Sequence, residues 1–179
     1  RNNNGLYSQG YSEEEVRAVI LSKLRLKPDA VVWDLGAGTG SVSIECARMC
    51  PFGEVYAVEY KPEALDILEQ NKTRFQTKNL QIIAGRAEEQ VQHLPVPDCV
   101  FLGGSSGAAK QLVAGLRQLR QPVRLVASAA TMETQAELFP LLQELPQLSP
   151  AFGRVGKGKE AAQGLYRCVG LLHDVYNFK

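Results

Sequence analysis

Two glycine-rich turns hold most of the chemistry that this sequence offers. The first is "DLGAGTG", where Asp34 is followed by Gly36, Gly38 and Gly40, with Ala37 and Thr39 between them. Glycines at alternate positions let the backbone turn tightly and remove the Cβ atoms that would hold a ligand off the main chain. Glu59 ends the next apolar run, "EVYAVEY", where a carboxylate can meet a ligand seated on the turn. The second turn closes "VFLGGSSG" with Gly103, Gly104, Ser105, Ser106 and Gly107. One such turn suffices for a nucleotide-like cofactor. The second is either a hollow for another ligand or a tight strand-to-helix link, and its residues alone leave both readings open.

The elements that must position these turns are legible from periodicity. "SEEEVRAVILSKLRL", 12–26, opens with Ser12 and Glu15 as a capping box and carries apolar residues at 16, 19, 20 and 24, so it predicts an amphipathic helix. "AVVWDLG" is a nearly continuous apolar run, as in a strand buried on both faces of a parallel sheet. The alternation then continues with a helix from Ser41 to about Cys50, strand 54–60, a helix from Pro62 to about Gln76 and strand 80–85. A short helix 87–94, strand 98–104, helix 105–119, strand 123–129 and helix 132–145 follow. Two closing strands, roughly 148–157 and 163–176, are joined by "KGKEAAQG". The expected fold is therefore α/β: a doubly wound, mostly parallel seven-stranded sheet, Rossmann-like, with an antiparallel C-terminal hairpin.

The spacing of the first turn is GxGxG, whereas the dinucleotide fingerprint is GxGxxG. A pyrophosphate needs amides of a helix N-terminus facing two phosphates. S-adenosylmethionine has no phosphate; it presents an amino-acid end, a sulfonium cation and two ribose hydroxyls. Asp34 suits the amino or sulfonium side, and Glu59 suits the two ribose hydroxyls. For the loop by itself, a NAD-type site and a purely structural turn remain alternatives. The combination "DLGAGTG" plus "VEY" resembles the first motif and its successor in class I methyltransferases. On that fold the end of the third strand lies beside the adenine, which makes Arg86 and the Ala87 amide candidates there, unless they only start the short helix.

In such a fold the fourth strand ends where the methyl group is delivered. Base methyltransferases often place an Asn/Asp-Pro-Pro-aromatic segment at that point, to orient an exocyclic amine and stack the base. "PDCVFLGGSSG" has neither the proline pair nor an aromatic after Phe101. It offers amides, two small hydroxyls and the start of the next helix, a set suited to anions.

"SEEEVRAVILSKLRL", "VWDLGAGTGSVSIE", "VYAVEYKPEAL" and "VFLGGSSG", in this order and spacing, resemble the decarboxylating precorrin methyltransferase family of cobalamin biosynthesis. The similarity covers roughly residues 8–145. This resemblance implies S-adenosylmethionine-dependent methylation of meso carbon fifteen of a precorrin, with decarboxylation of the adjacent acetate, and a homotetramer. It implies cofactor contacts from Ser12, where the family has threonine, and from Asp34, Gly36, Ala37, Gly38, Thr39, Gly40, Glu59, Arg86 and Ala87. Substrate contacts fall to Gly103, Gly104 and Ser105, with Arg17 and Arg154 as cations for the carboxylates. Lys157 and Lys159 extend that basic run, and Tyr7 and Tyr11 precede the first helix as lid candidates. No residue is assigned a catalytic acid or base role. The family's paired glycines before the fifth strand are replaced here by Gln121 and Pro122, and its Asn-Pro near the closing strand is absent from "LLHDVYNF". A methyltransferase acting on RNA or protein is the alternative.

The bulk properties agree with a single domain, 12–179, behind a polar N-terminal segment, 1–11. The 179 residues carry 20 basic against 19 acidic side chains, a net charge of +1, with no basic block to call for nucleic acid or an anionic membrane. Cys46, Cys50, Cys99 and Cys168 form no CxxC pair and the only histidines are His93 and His173, so packed free thiols in a reducing cytoplasm are expected, and no metal. No apolar run approaches the ~20 residues of a membrane span.

Overall fold

The computed structural model of the chain describes residues 14–103, 107–119, 121–129, 132–143, 154–155 and 169–175. Five strands run parallel: β1 (Val31–Leu35), β2 (Glu54–Glu59), β3 (Leu80–Ala84), β4 (Cys99–Leu102) and β5 (Arg124–Ala129), in the spatial order β3-β2-β1-β4-β5. Chain order reverses at β1, which pairs with β2 on one side and β4 on the other. Ligands of open α/β sheets bind at such a switch point, beyond the carboxyl ends of the strands. Both glycine turns start there.

Helices α1 (Glu14–Leu24), α2 (Ser41–Met49) and α3 (Pro62–Phe75) cover one face. They bury Val16, Ile20, Ile44 and Leu68 against Val32, Val55, Ala57, Leu80 and Phe101. The short α4 (Ala87–Gln90), α5 (Ala109–Leu116) and α6 (Met132–Gln143) cover the other, where Leu112 and Leu138 pack on Trp33, Leu35, Val100, Leu102 and Leu125. Alternation along β1 decides the site: Val32 faces the first layer, Trp33 and Leu35 the second. Asp34 therefore points into the first layer, toward α2, in a place where a strand would ordinarily bury another aliphatic side chain for roughly 1.5–3 kcal/mol.

Most expected elements are present, with shifted ends. The helix expected at 105–119 is α5, beginning only at Ala109, because Gly107 takes the left-handed conformation (φ 82°) and Ala108 is the N-cap. The segment expected as helix 87–94 is one α-turn followed by a 3-10 turn, Val91–His93. Beyond β5, the described segments β6 (Arg154–Val155) and β7 (Val169–Val175) lie antiparallel, with Arg124 opposite Val175 and Arg154 opposite Gly170. The turn expected to join them, the expected strand starts at 148 and 163, and the capping Ser12 fall outside the described residues.

Candidate functional site

The first turn is held from below and behind. The Gly36 and Ala37 amides both donate to the Val58 carbonyl at 3.0 Å, and the Gly40 amide donates to the Ala37 carbonyl at 2.9 Å. Gly36, Gly38 and Gly40 have φ of 76°, 56° and 81°, left-handed values that disfavour side chains. At Gly40 a Cβ would stand 2.0 Å from Leu68 Cδ1, so α3 closes on the turn there. At Gly38 it would meet nothing within 4 Å. Gly38 thus combines a left-handed conformation with open space, as expected where a ligand approaches the main chain, and Gly107 of the second turn does the same. Asn71 of α3 completes the support, its Nδ2 donating to the Thr39 carbonyl at 2.9 Å, while the Thr39 hydroxyl is buried with no hydrogen-bond partner.

Glu59 is 5% exposed, and its carboxylate ties the end of β2 to the turn. Oε1 accepts the Tyr60 and Lys61 amides at 2.8 and 2.9 Å, and Oε2 accepts the Gly38 amide at 2.8 Å. A carboxylate has about four lone-pair sites. Three of them are therefore occupied, and the remaining acceptor capacity lies on Oε2, which narrows the expectation that both oxygens are free for a ribose.

Asp34 is buried, 1% exposed. The Ser43 hydroxyl of α2 donates to Oδ2, whereas Oδ1 is buried without a hydrogen-bond partner. Burial raises the carboxyl to about pH 7; Ser43 opposes this, and the nearby Glu59 charge adds to it. Cys46, on the same helix, is pushed well up by burial and by the Asp34 charge, so it stays a thiol.

At the end of β3, Gly85 donates to the Glu59 carbonyl at 2.9 Å. Arg86 is the N-cap of α4 and its guanidinium lies over the Tyr60 ring, 5.1 Å from the centroid, with Glu88 at 3.3 Å. Ala87 is half-buried against the second layer. Tyr60 was not among the residues singled out in the sequence. An aromatic directly after a strand-end carboxylate is the signal that marks it.

The second turn starts against the first. The Gly103 amide donates to the Leu35 carbonyl at 2.9 Å, and a Cβ on Gly103 would lie 3.1 Å from both the Gly36 carbonyl and Phe101 Cε1. The Ser128 hydroxyl donates to the Gly103 carbonyl at 3.4 Å. The expected anion site at the following helix is corrected in one respect: the Ala109 amide already donates to Glu137 Oε1 of α6 at 2.9 Å. That amide is capped by the protein's own carboxylate.

Asp34, Gly36, Ala37, Gly38, Thr39, Gly40, Glu59 and Gly103 thus converge at the ends of β1, β2 and β4, with Arg86 and Ala87 at β3. Arg17 is buried in α1, 7% exposed, rather than standing out as a surface cation. Arg154 is placed by its backbone in β6, opposite Gly170. Ser12, Gly104, Ser105, Ser106, Tyr7, Tyr11, Lys157 and Lys159 lie outside the described residues. Among the described residues, no group of three or more His, Cys, Asp and Glu side chains is placed to hold a metal, and no helix is long and apolar enough to cross a membrane.

A parallel sheet reversing at β1, a GxGxG turn with open space at Gly38, and carboxylates ending β1 and β2 define a Rossmann-like methyltransferase fold. Solved structures agree: precorrin-6Y C5,15-methyltransferase from Geobacter metallireducens superposes with a TM-score of 0.77 at 32% identity, covering 95% of this chain and 87% of that one. An O-methyltransferase from Thermotoga maritima, at 18% identity, shares the fold with a TM-score of 0.68, covering 96% of this chain and 64% of that one.

The chain belongs to the precorrin methyltransferase family: residues 9–149 match the precorrin methyltransferase domain. It is 35% identical over 128 residues to a probable cobalt-precorrin-6B C(15)-methyltransferase (decarboxylating) of Methanocaldococcus jannaschii, an alignment that covers 72% of this chain and 67% of that protein. A Sinorhizobium precorrin-6Y C(5,15)-methyltransferase [decarboxylating] is 33% identical over 72% of this chain, which spans only 31% of that longer protein.

Proposed function

We propose that this protein transfers a methyl group from S-adenosylmethionine to meso carbon fifteen of a precorrin and promotes loss of carbon dioxide from the adjacent acetate side chain, in cobalamin biosynthesis. The observation that carries this reading is the family match over residues 9–149, which includes both glycine turns. The residues present suit the methyl donor: open space at Gly38 offers a backbone approach, and Asp34 Oδ1 at the end of β1 is an unpartnered acceptor.

S-adenosylmethionine, when bound, supplies an electrophilic methyl on a sulfonium. Asp34 takes the amino-acid end, Glu59 Oε2 a ribose hydroxyl, and the β3 end with Arg86 and Ala87 borders the base. Gly103, Gly104 and Ser105 let the ring come close to the methyl group, with Arg17 and Arg154 for its carboxylates. In-line transfer to an electron-rich carbon depends chiefly on positioning, worth up to roughly 7–11 kcal/mol. In decarboxylation the electron pair of the breaking C–C bond passes into the conjugated ring. The protein's part is to hold the polycarboxylate and exclude water.

Finer features belong to the same proposal. The sheet closes as seven strands with an antiparallel C-terminal hairpin; the enzyme works as a homotetramer in the cytoplasm, without a metal, nucleic acid or membrane partner; and residues 12–179 form one domain behind the segment 1–11. Incubation with the late precorrin intermediate and S-adenosylmethionine, followed by mass spectrometry, tests the activity. Gain of one methyl with loss of carbon dioxide is the expected result. Methylation alone removes the decarboxylase half, and an unchanged ring points to another acceptor.

A further inference from the structure

The two carboxyls at the switch point have opposite surroundings. Glu59 is satisfied by three backbone amides. Asp34 has one side-chain donor, the Ser43 hydroxyl, which is itself fully buried, and that bond engages Oδ2 alone. Oδ1 remains sealed from solvent with no hydrogen-bond partner. A buried carboxylate oxygen left in this way is costly unless a cation or a proton meets it. The elements around it supply little positive charge: α2 gives Ser43 and the thiol of Cys46, and β2 gives the carboxylate of Glu59. Leu68 and Asn71 of α3 are engaged with the turn. From α1 the buried charge of the same layer is Arg17, but the charge acting on Asp34 is that of Glu59.

We propose that Ser43 is a positioning residue which, by fixing Asp34 Oδ2, keeps the buried Oδ1 as the unpartnered acceptor that the cationic amino-acid end of the methyl donor meets on entering the site, and that Asp34 gives up a proton when this cation binds. The inference rests on the assignment of S-adenosylmethionine as cofactor. In the empty site Asp34 holds a proton near and below neutrality, because burial and Glu59 oppose its charge. An incoming ammonium replaces that proton, which leaves to solvent. No bond other than O–H breaks, and the charge of the site is balanced by the ligand. Binding of the donor and of its demethylated product then weakens as pH falls below about 7, where an α-amino group is already mostly charged and contributes little to the change.

Titration calorimetry with S-adenosylhomocysteine, in two buffers of different ionisation enthalpy, counts the protons. At pH 6 close to one proton should be released per bound ligand, and the affinity should rise about fivefold between pH 6 and 7. Ser43→Ala should move the midpoint of this pH dependence upward, since the hydroxyl favours the charged form, and Ser43→Thr should restore it. Asp34→Asn should bind weakly, with no proton release. Tight binding by wild type with no proton exchange and a flat pH profile overturns the proton linkage. Loss of affinity in Ser43→Ala by the same factor at every pH overturns the positioning role. A failure to bind at any pH overturns the cofactor assignment itself, so the two failures are distinguishable. Circular dichroism of each variant shows whether the fold is retained.

Discussion

The two glycine turns begin side by side on neighbouring strands, yet they are held differently. The first is fastened throughout: Val58, Glu59, Leu68 and Asn71, from a strand and a helix, fix its carbonyls, amides and close contacts. Among the described residues of the second, the ties are at its ends, Gly103 to Leu35 and Ala109 to Glu137. A turn so thoroughly supported is preorganised, and a ligand that uses it loses little free energy to ordering the protein. This suits an invariant cofactor. In the other turn the described ends, Gly103 and Ala109, are fixed by Leu35 and Glu137, and it is the turn proposed above for the substrate.

The largest test of this contrast is Asp34→Asn. Asp34 is raised from 3.8 to about 7, so between these values the folded state binds the extra proton and stability falls as pH rises. The penalty is complete above the folded value and absent below the unfolded one, and for this shift it is on the order of 4 kcal/mol. The asparagine variant should therefore melt higher than wild type at pH 8, with little difference at pH 4, while losing cofactor affinity at least 100-fold. A lower melting point at pH 8 would mean that Asp34 stabilises the empty turn. Next, Gly40→Ala should cost about 2–3 kcal/mol, through backbone strain and the clash with Leu68, read by chemical denaturation. Gly38→Ala should cost only about 1 kcal/mol and act mainly on cofactor binding; equal losses in both variants would erase the distinction between support and open face.

Gly103→Ala falls between the two turns, since its Cβ would press on the Gly36 carbonyl. About 1 kcal/mol of stability and a severalfold loss of cofactor affinity are expected. An effect on substrate turnover alone would show the turns to be independent. The smallest effect is expected for Glu137→Gln, which keeps an acceptor for Ala109 but removes the charge, at about 0.5 kcal/mol. If turnover rises while stability falls, the carboxylate had been competing with the substrate's own.

Much of the fold was legible because its signals are local. Apolar runs gave the strands, and Pro62 at the first turn of α3 gave that helix start. The misplaced start of α5 has a local cause that sequence could not reveal: a glycine is compatible with a helix interior or with a left-handed turn, and Gly107 takes the latter. The convergence of the candidate site was legible in its glycines and in Asp34 and Glu59, since strand ends and turn residues are adjacent in the chain. Leu68, Asn71 and Glu137 were not, because they reach the turns from helices distant in sequence and look like ordinary core or surface positions.

By itself the sequence determined the strand and helix alternation, the GxGxG turn and the two strand-end carboxylates, each fixed by period, spacing or the conformational freedom of glycine. Tertiary structure alone decided what each polar atom meets. It gave Glu59 three amides and Asp34 a single serine, and it closed Gly40 while leaving Gly38 open. The physical reason is that hydrogen bonding and desolvation depend on neighbours brought together by packing, which no local pattern encodes.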